Sequence, residues 1–379
     1  MIRVAVVMGK MHSGGKKNLV MEYYRHIDRS KVQFDFICDA DSNAIPKDEI
    51  ETLGGRIYII TPYQNLTKNI SEMKRIFRQG HYKIVHAYNN TLNVFAMLAA
   101  KQAGVPIRIN ESISMGSDAG DWKNYIKNIL KPFSRLFATH YMANGEVCGR
   151  WQFGDELFDK GKVTVFKTVI NTKEHQFEPA LREKTRKELG LADNLVVGHI
   201  GRLTEQKNTL FIIDIFKEIQ KMEPRARLLL VGDGNLKDVM LQKIDSYGIK
   251  DKVVYLGRTE NIHKLYNAMD CFLLPSLYEG LPVVGVEAEC TGLPMFFSTA
   301  VPEESSPCED LGYFISLDKG AQEWAAFILK HTMKLKDSRI GRMEEVRLAG
   351  FDSAIEAKKL EEFYIDLIDK DYEVYQQKF

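Results

Sequence analysis

Cysteine is scarce in this chain: Cys38, Cys148, Cys271, Cys290 and Cys308 are scattered over 379 residues, odd in number, with no C-x-x-C pair and no zinc spacing. A disulfide framework and a structural zinc site are therefore not expected, and reduced thiols in a cytoplasmic chain are the simplest reading. Long apolar runs are missing as well. None approaches the roughly 18 residues that span a bilayer, and the run at 210–213 is interrupted within one turn. Met1 leads directly into the short apolar stretch 2–8, which suits a buried strand rather than a signal peptide. Charge of one sign is also lacking: 52 Lys and Arg against 51 Asp and Glu leave +1, so no basic field exists to hold nucleic acid by counterion release. The sequence has no low-complexity tract and no repeat of solenoid period.

What is present is an ordinary globular composition, 45% hydrophobic and 27% charged, in a chain long enough for two domains. Short β-rich runs at 2–8, 32–38, 57–60, 84–87, 107–109 and 139–143 alternate with helical patterns, the signature of crossover units that build a parallel sheet. Among the helices is 91–103, with Thr91 expected as its cap and Gly104 and Pro106 as its stop. The alternation then restarts, with strands expected at 196–200, 227–231, 253–256, 271–274 and 295–298 and helices at 182–189 and 208–222. The fold class is thus α/β, two doubly wound units in one chain. The boundaries expected are 1–168, 169–352 and a charged helix at 353–379 that returns to the first unit. A ligand is expected in a cleft where the two sheets face one another, a geometry suited to a transfer between two substrates.

Four segments carry chemistry. Glu279-Gly280-Leu281-Pro282-Val283-Val284-Gly285-Val286-Glu287 follows an expected strand directly. Pro282 suits a first helical turn, whose free amides suit a pyrophosphate, and the two carboxylates suit two sets of hydroxyls, a ribose at Glu287 and a sugar at Glu279. Arg202 and Lys207 bracket a second strand-to-helix loop, where both cations could reach one diphosphate and offset the charge of a leaving nucleotide. Gly14 and Gly15 form a glycine turn after the first strand that permits close backbone approach, and Val231-Gly232-Asp233-Gly234 forms another. Each segment alone also reads as ordinary structure: a capping and a solvated Glu, a surface Arg beside a helix-start Lys, and tight turns.

Together these segments resemble the retaining nucleotide-sugar glycosyltransferases of family four, which have the GT-B fold, along nearly the whole chain and most closely in the style of bacterial enzymes of capsule, exopolysaccharide and lipopolysaccharide synthesis. The resemblance implies an N-terminal acceptor domain and a C-terminal donor domain. It implies that Glu287 binds ribose, that Glu279 contacts the donor sugar, and that Arg202 and Lys207 hold the diphosphate. Backbone contacts come from Gly14, Gly15, Leu281, Val283 and Val284. The donor expected is a UDP-sugar and the acceptor a glycan or lipid-linked glycan. The resemblance further implies transfer that keeps the anomeric configuration through an oxocarbenium-like state, with neither metal nor cofactor expected. Asp39-Ala40-Asp41, which resembles a cation-binding pair of another transferase fold, reads here as a solvated turn.

One departure stands out. Such enzymes often carry a His where this chain has Asn110-Glu111, so Glu111 stands as an acceptor-side candidate together with His86 on the preceding strand, the latter also readable as a structural hydrogen-bonding group. The departure keeps two rivals in play: a nucleotide-sugar epimerase of related fold, and a nucleotide-binding scaffold with weak catalysis. Residues 123–137 set basic side chains opposite apolar ones. They read either as a helix resting on anionic lipid at the inner face of the membrane or as a helix packed on the sheet with a solvated basic face.

Overall fold

The structure, a computed structural model, describes residues 1–12, 14–114, 126, 128–259, 261–335 and 338–376, with backbone alone for 372–376. The chain forms two compact units, one comprising Met1–Val169 with Asp352–Phe379 and the other Ile170–Phe351.

The first unit is built on a parallel sheet with the strand order β3-β2-β1-β4-β5-β6-β7. Its strands are β1 (Ile2–Gly9), β2 (Val32–Asp39), β3 (Arg56–Ile60), β4 (Ile84–Ala87), β5 (Ile107–Ser112), β6 (His140–Ala143) and β7 (Val163–Val165). The continuous apolar run of β1 follows from its central place: Val4, Val6 and Met8 enter one core, Ala5 and Val7 the core on the opposite face. Edge strand β7, with Thr164 and Val165 exposed, is too short to announce itself in the sequence.

The second unit repeats the plan as β10-β9-β8-β11-β12-β13. Its strands are β8 (Leu195–Ile200), β9 (Ala226–Val231), β10 (Val253–Tyr255), β11 (Cys271–Leu274), β12 (Met295–Ser298) and β13 (Gly312–Ile315). All the printed pairings are parallel. In both sheets the chain order reverses beside the first strand, so the loops that leave β8 and β11 lie next to each other at a switch point where such sheets bind ligands.

The C-terminal helix, Ser353–Gln376, begins at Asp352, whose carboxylate accepts from the amides of Ala354 and Ile355 at 3.1 and 3.0 Å. Its Ala357, Leu360, Tyr364 and Leu367 belong to the first unit's core with Val4, Val6, Tyr24 and Phe34. Each of the larger of these side chains contributes about 2 kcal/mol by burial.

Thr91 does not cap a helix. A single 3-10 turn, Asn90–Leu92, comes first, the helix proper is Asn93–Ala103, and the amide of Asn89 is taken by the side chain of Asn93 at 2.6 Å. Gly104 stops that helix in the left-handed region (φ 83°). Within 123–137, Lys123, Asn124, Tyr125 and Lys127 lie outside the described residues. Ile129, Phe133 and Leu136 are exposed rather than packed on the sheet. No helix among the described residues is long and apolar enough to cross a membrane. All five cysteines are buried.

Candidate functional site

Two loops at the switch point of the second sheet carry the strongest sequence signals. The loop leaving β8 is braced from behind by the turn after β9: the amide of Gly201 donates to Val231 O at 3.0 Å and that of Leu203 to Asp233 O at 3.1 Å. A side chain at Gly232 (φ 134°) or Gly234 would run into the backbone of Gly201 or Leu203, so this close approach requires glycine. Asn208 takes the left-handed conformation (φ 53°) just before the helix Thr209–Met222, turning the preceding residues toward the loop that follows β11.

The two loops are tied by backbone and side chain alike. Leu277 N donates to Gln206 O at 2.8 Å, and Gln206 Nε2 donates to Tyr278 O at 3.2 Å. Lys207 Nζ reaches Glu279 Oε1 at 2.6 Å, with the side chains only 12% and 8% exposed. Arg202 is exposed and donates to Gln206 Oε1 at 3.1 Å; Gln206 lies 3.5 Å from Glu279 Oε2. The structure thus brings Arg202, Lys207 and Glu279 into one polar chain through Gln206, a residue that the sequence reading passed over. Its only signal was its place beside Lys207.

Under this loop sits His199, fully buried. Its Nδ1 pairs with the carbonyl oxygen of Leu273 at 2.9 Å, which makes Nδ1 the protonated nitrogen of a neutral ring. Burial pushes its pKa down to about 4.

Past Pro282, which stands at the cap position, the helix Val283–Cys290 begins, so the amides of Val283 and Val284 fall in its first turn. Leu281 is buried in an apolar cluster with Val286 and Cys290. One turn on, Glu287 is buried and accepts from Tyr266 Oη at 2.7 Å, while His175 Nε2 lies 3.8 Å from its other oxygen. Burial pushes the Glu287 carboxyl up to about 7, against the opposing effect of the Tyr266 bond. Tyr266 and His175 were also missed, because they lie 21 and 112 positions from Glu287 and only packing unites them.

In the first unit, Gly14 and Gly15 are exposed at the start of the helix Gly15–His26, with open space where a side chain would stand. Lys16 bends inward instead, donating to Met8 O at 2.5 Å and Asn89 Oδ1 at 2.7 Å, and burial lowers its pKa to about 8.

His86 and Glu111 are both interior: His86 Nε2 stands 2.8 Å from Glu111 Oε2, and Nδ1 stands 2.7 Å from the hydroxyl of Tyr364 on the C-terminal helix. Neither offers a side chain to the surface. Asn110 is spent structurally, donating to Ser134 O and accepting from Asn93 and Gln152. Asp39 is buried, where desolvation raises its pKa to about 6, while Asp41 pairs with Lys10 at 2.7 Å; only the latter half of this segment is a solvated turn.

Residues 182–305 match the family described as Glycosyl transferases group 1. The putative glycosyltransferase EpsF of Bacillus subtilis is 31% identical over 378 residues, 98% of each chain. The UDP-Gal:alpha-D-GlcNAc-diphosphoundecaprenol alpha-1,3-galactosyltransferase of Escherichia coli is 25% identical over 316 residues, 79% of this chain and 80% of that one. Among solved structures, Anabaena Alr3699/HepE in complex with UDP superposes with a TM-score of 0.78 at 19% identity, covering 96% of this chain and 100% of that one, a likeness that establishes the GT-B fold. With nearly a third of its residues shared along almost the full length of EpsF, and with the matched segment holding the Lys207–Glu279 pair and Glu287, the chain belongs to the group 1 glycosyltransferases, a family with relatives named for bacterial polysaccharide synthesis.

Proposed function

We propose that this glycosyltransferase moves a hexose from a UDP-sugar to a glycan or lipid-linked glycan of the cell surface. The single observation that carries the reading is the mostly buried Lys207–Glu279 pair, 2.6 Å apart, at the switch point of the second sheet. Arg202 and Lys207 hold the diphosphate and neutralise the charge that grows as the nucleotide leaves, and the amides of Val283 and Val284 add fixed dipoles to the same end. Glu279 orients the hydroxyls of the sugar and does not attack it, in contrast to hydrolases that set two carboxylates across the bond. The acceptor hydroxyl enters on the face from which the diphosphate departs, and the departing phosphate oxygen takes its proton. In this scheme the two cations do the neutralising, and no metal is called for.

The acceptor side belongs to the first unit. The UDP complex of the Anabaena protein and the UDP-Gal and diphosphoundecaprenol in the name of the Escherichia coli relative support a UDP donor and a lipid-diphosphate-linked acceptor. The exposed Ile129, Phe133 and Leu136 near Lys131 and Arg135 support contact with an anionic membrane surface, where such an acceptor resides. Neither the epimerase nor the scaffold reading finds support among relatives named as glycosyltransferases.

A panel of nucleotide sugars is screened first by thermal shift, since a ligand bound only by the folded state raises the melting temperature. The stabilising donor is then incubated with a diphosphoundecaprenol-linked sugar. Product whose new linkage keeps the donor's anomeric configuration by NMR supports the proposal. An inverted linkage, or stabilisation by no uridine nucleotide, overturns it.

A further inference from the structure

Glu287 is not a carboxylate free to turn toward a ligand. Its Oε2 is taken by the hydroxyl of Tyr266 at 2.7 Å, which leaves Oε1 to address what binds, with His175 Nε2 at 3.8 Å. Tyr266 in turn has no freedom to follow a moving partner. It is fully buried, its ring centroid is 5.8 Å from that of Phe272 and 6.0 Å from the ring of His175, and it sits near the end of the short helix Ile262–Ala268.

The end of that helix is clamped. Arg339 Nη2 donates to Tyr266 O at 3.0 Å and Arg339 Nη1 to Met269 O at 2.8 Å, while Arg182 Nη1 donates to Asn267 O at 2.8 Å and to Met269 O at 2.7 Å. Asp270, ion-paired with Arg182 and Arg186, anchors the cations. This charged assembly touches no atom of the Lys207–Glu279 pair. Its consequence is to fix the phenol oxygen that faces Glu287.

We propose that Tyr266 is a positioning residue for nucleotide binding: held by the Arg182–Arg339 clamp, its hydroxyl aims the Glu287 carboxylate at the two ribose hydroxyls of the donor. The inference rests on the reading of Glu287 as the ribose-binding carboxylate. A carboxylate that accepts from two adjacent hydroxyls must present one orientation, and fixing it in the free protein removes the cost of ordering it on binding. Tyr266 also favours the charged form of a buried group that desolvation drives toward the neutral one. A neutral carboxyl accepts ribose hydroxyls less well.

Titration calorimetry with UDP and 2′,3′-dideoxy-UDP on the full chain tests this. Tyr266→Phe keeps the ring and removes the hydroxyl; it is expected to weaken UDP about tenfold, the scale of one hydrogen bond to a charged group, and to leave dideoxy-UDP unchanged. Equal weakening of both nucleotides, or of neither, overturns the proposal. Because Tyr266→Phe leaves Oε2 unpaired and could unfold the second unit, a second comparison uses Glu287→Gln as the parent. Adding Tyr266→Phe to Glu287→Gln is expected to leave UDP affinity where it was, whereas a further loss shows that the tyrosine acts by itself and overturns the proposal. The underlying reading fails separately: if the unaltered protein binds UDP and dideoxy-UDP alike, Glu287 does not hold ribose, whatever the tyrosine does.

Discussion

A lysine and a glutamate 2.6 Å apart and almost out of water form a pair whose partners cannot be removed with equal consequence. Lys207→Ala leaves the mostly buried Glu279 carboxylate without its cation, with Gln206 Nε2 3.5 Å away, so it is expected to lower the melting temperature and to weaken UDP binding by about 1–3 kcal/mol in calorimetry. Arg202→Ala, at an exposed side chain, is expected to weaken UDP by a similar amount with no loss of melting temperature. Glu279→Gln keeps the size of the side chain and is expected to slow transfer more than it weakens UDP, because its proposed partner is the sugar. Equal losses in kcat and in UDP affinity would remove that division of labour. These residues were legible in the sequence because the chemistry of each loop is local: a cation or a carboxylate a few positions past a strand. Tyr266 and His175 were not, since nothing in their own neighbourhood marks them, and Gln206 was marked only by its place beside Lys207. His86 and Glu111 show the converse. The family resemblance singled them out, Glu111 where a His is often found and His86 at the end of the preceding strand, but could not show that strand register and the C-terminal helix would bury them against each other.

The helix Val283–Cys290 buries two carboxyl groups in a little over two turns, which no stability argument would choose. Glu287 is pushed up to about 7 and Glu289 to about 8, in both cases chiefly by burial, from an ordinary value of 4.5. Glu289 is offset by the hydroxyl of Ser306 at 2.5 Å and the amide of Cys308 at 2.9 Å. Over this window the folded state holds protons that the unfolded chain has released. The stabilising contribution is therefore full below about 4.5 and is lost as pH rises through about 7 and then about 8. Glu289→Gln, which mimics the protonated form away from the proposed ligand, is expected to flatten the fall in melting temperature between pH 5 and 8 on the order of half. An unchanged slope in differential scanning fluorimetry would show that other groups govern it. At this scale the sequence was clear where an element is long or fully buried, as in β1, β8 and the helix Thr209–Met222. It was poor at edges: β7 is a three-residue strand with two exposed positions, β13 an edge strand only partly buried, and the start of Asn93–Ala103 was displaced by a 3-10 turn that a capping rule does not foresee.

At the scale of the whole molecule, alternation of strand and helix was enough to expect two doubly wound units, but not the strand order within them, because pairing in a parallel sheet is decided by crossovers of a dozen residues or more. The C-terminal helix leaves its sequence neighbours for the other unit: Phe351 belongs to the second unit, while Asp352 and all that follows belong to the first. Charge patterning suggested its return, and the contacts show how it is held. Leu360, Tyr364 and Leu367 enter the first unit's core, Tyr364 also meets His86, and Glu361 takes Lys31 at 2.9 Å and the amide of Asp28 at 3.0 Å. A chain segment so remote in sequence thus completes the core that holds β1 and β2. Leu360→Ala is accordingly expected to cost about 2–5 kcal/mol through the cavity it leaves. Native-state hydrogen exchange should show the loss in the amides of β1, β2 and β4, while those of β8 and β9 keep their protection, because Leu360 belongs to the core cluster of the first unit and β8 and β9 to a separate one. Equal loss of protection in both sheets would mean that the helix secures the entire chain, and that its place in the first core is not the reason it is there.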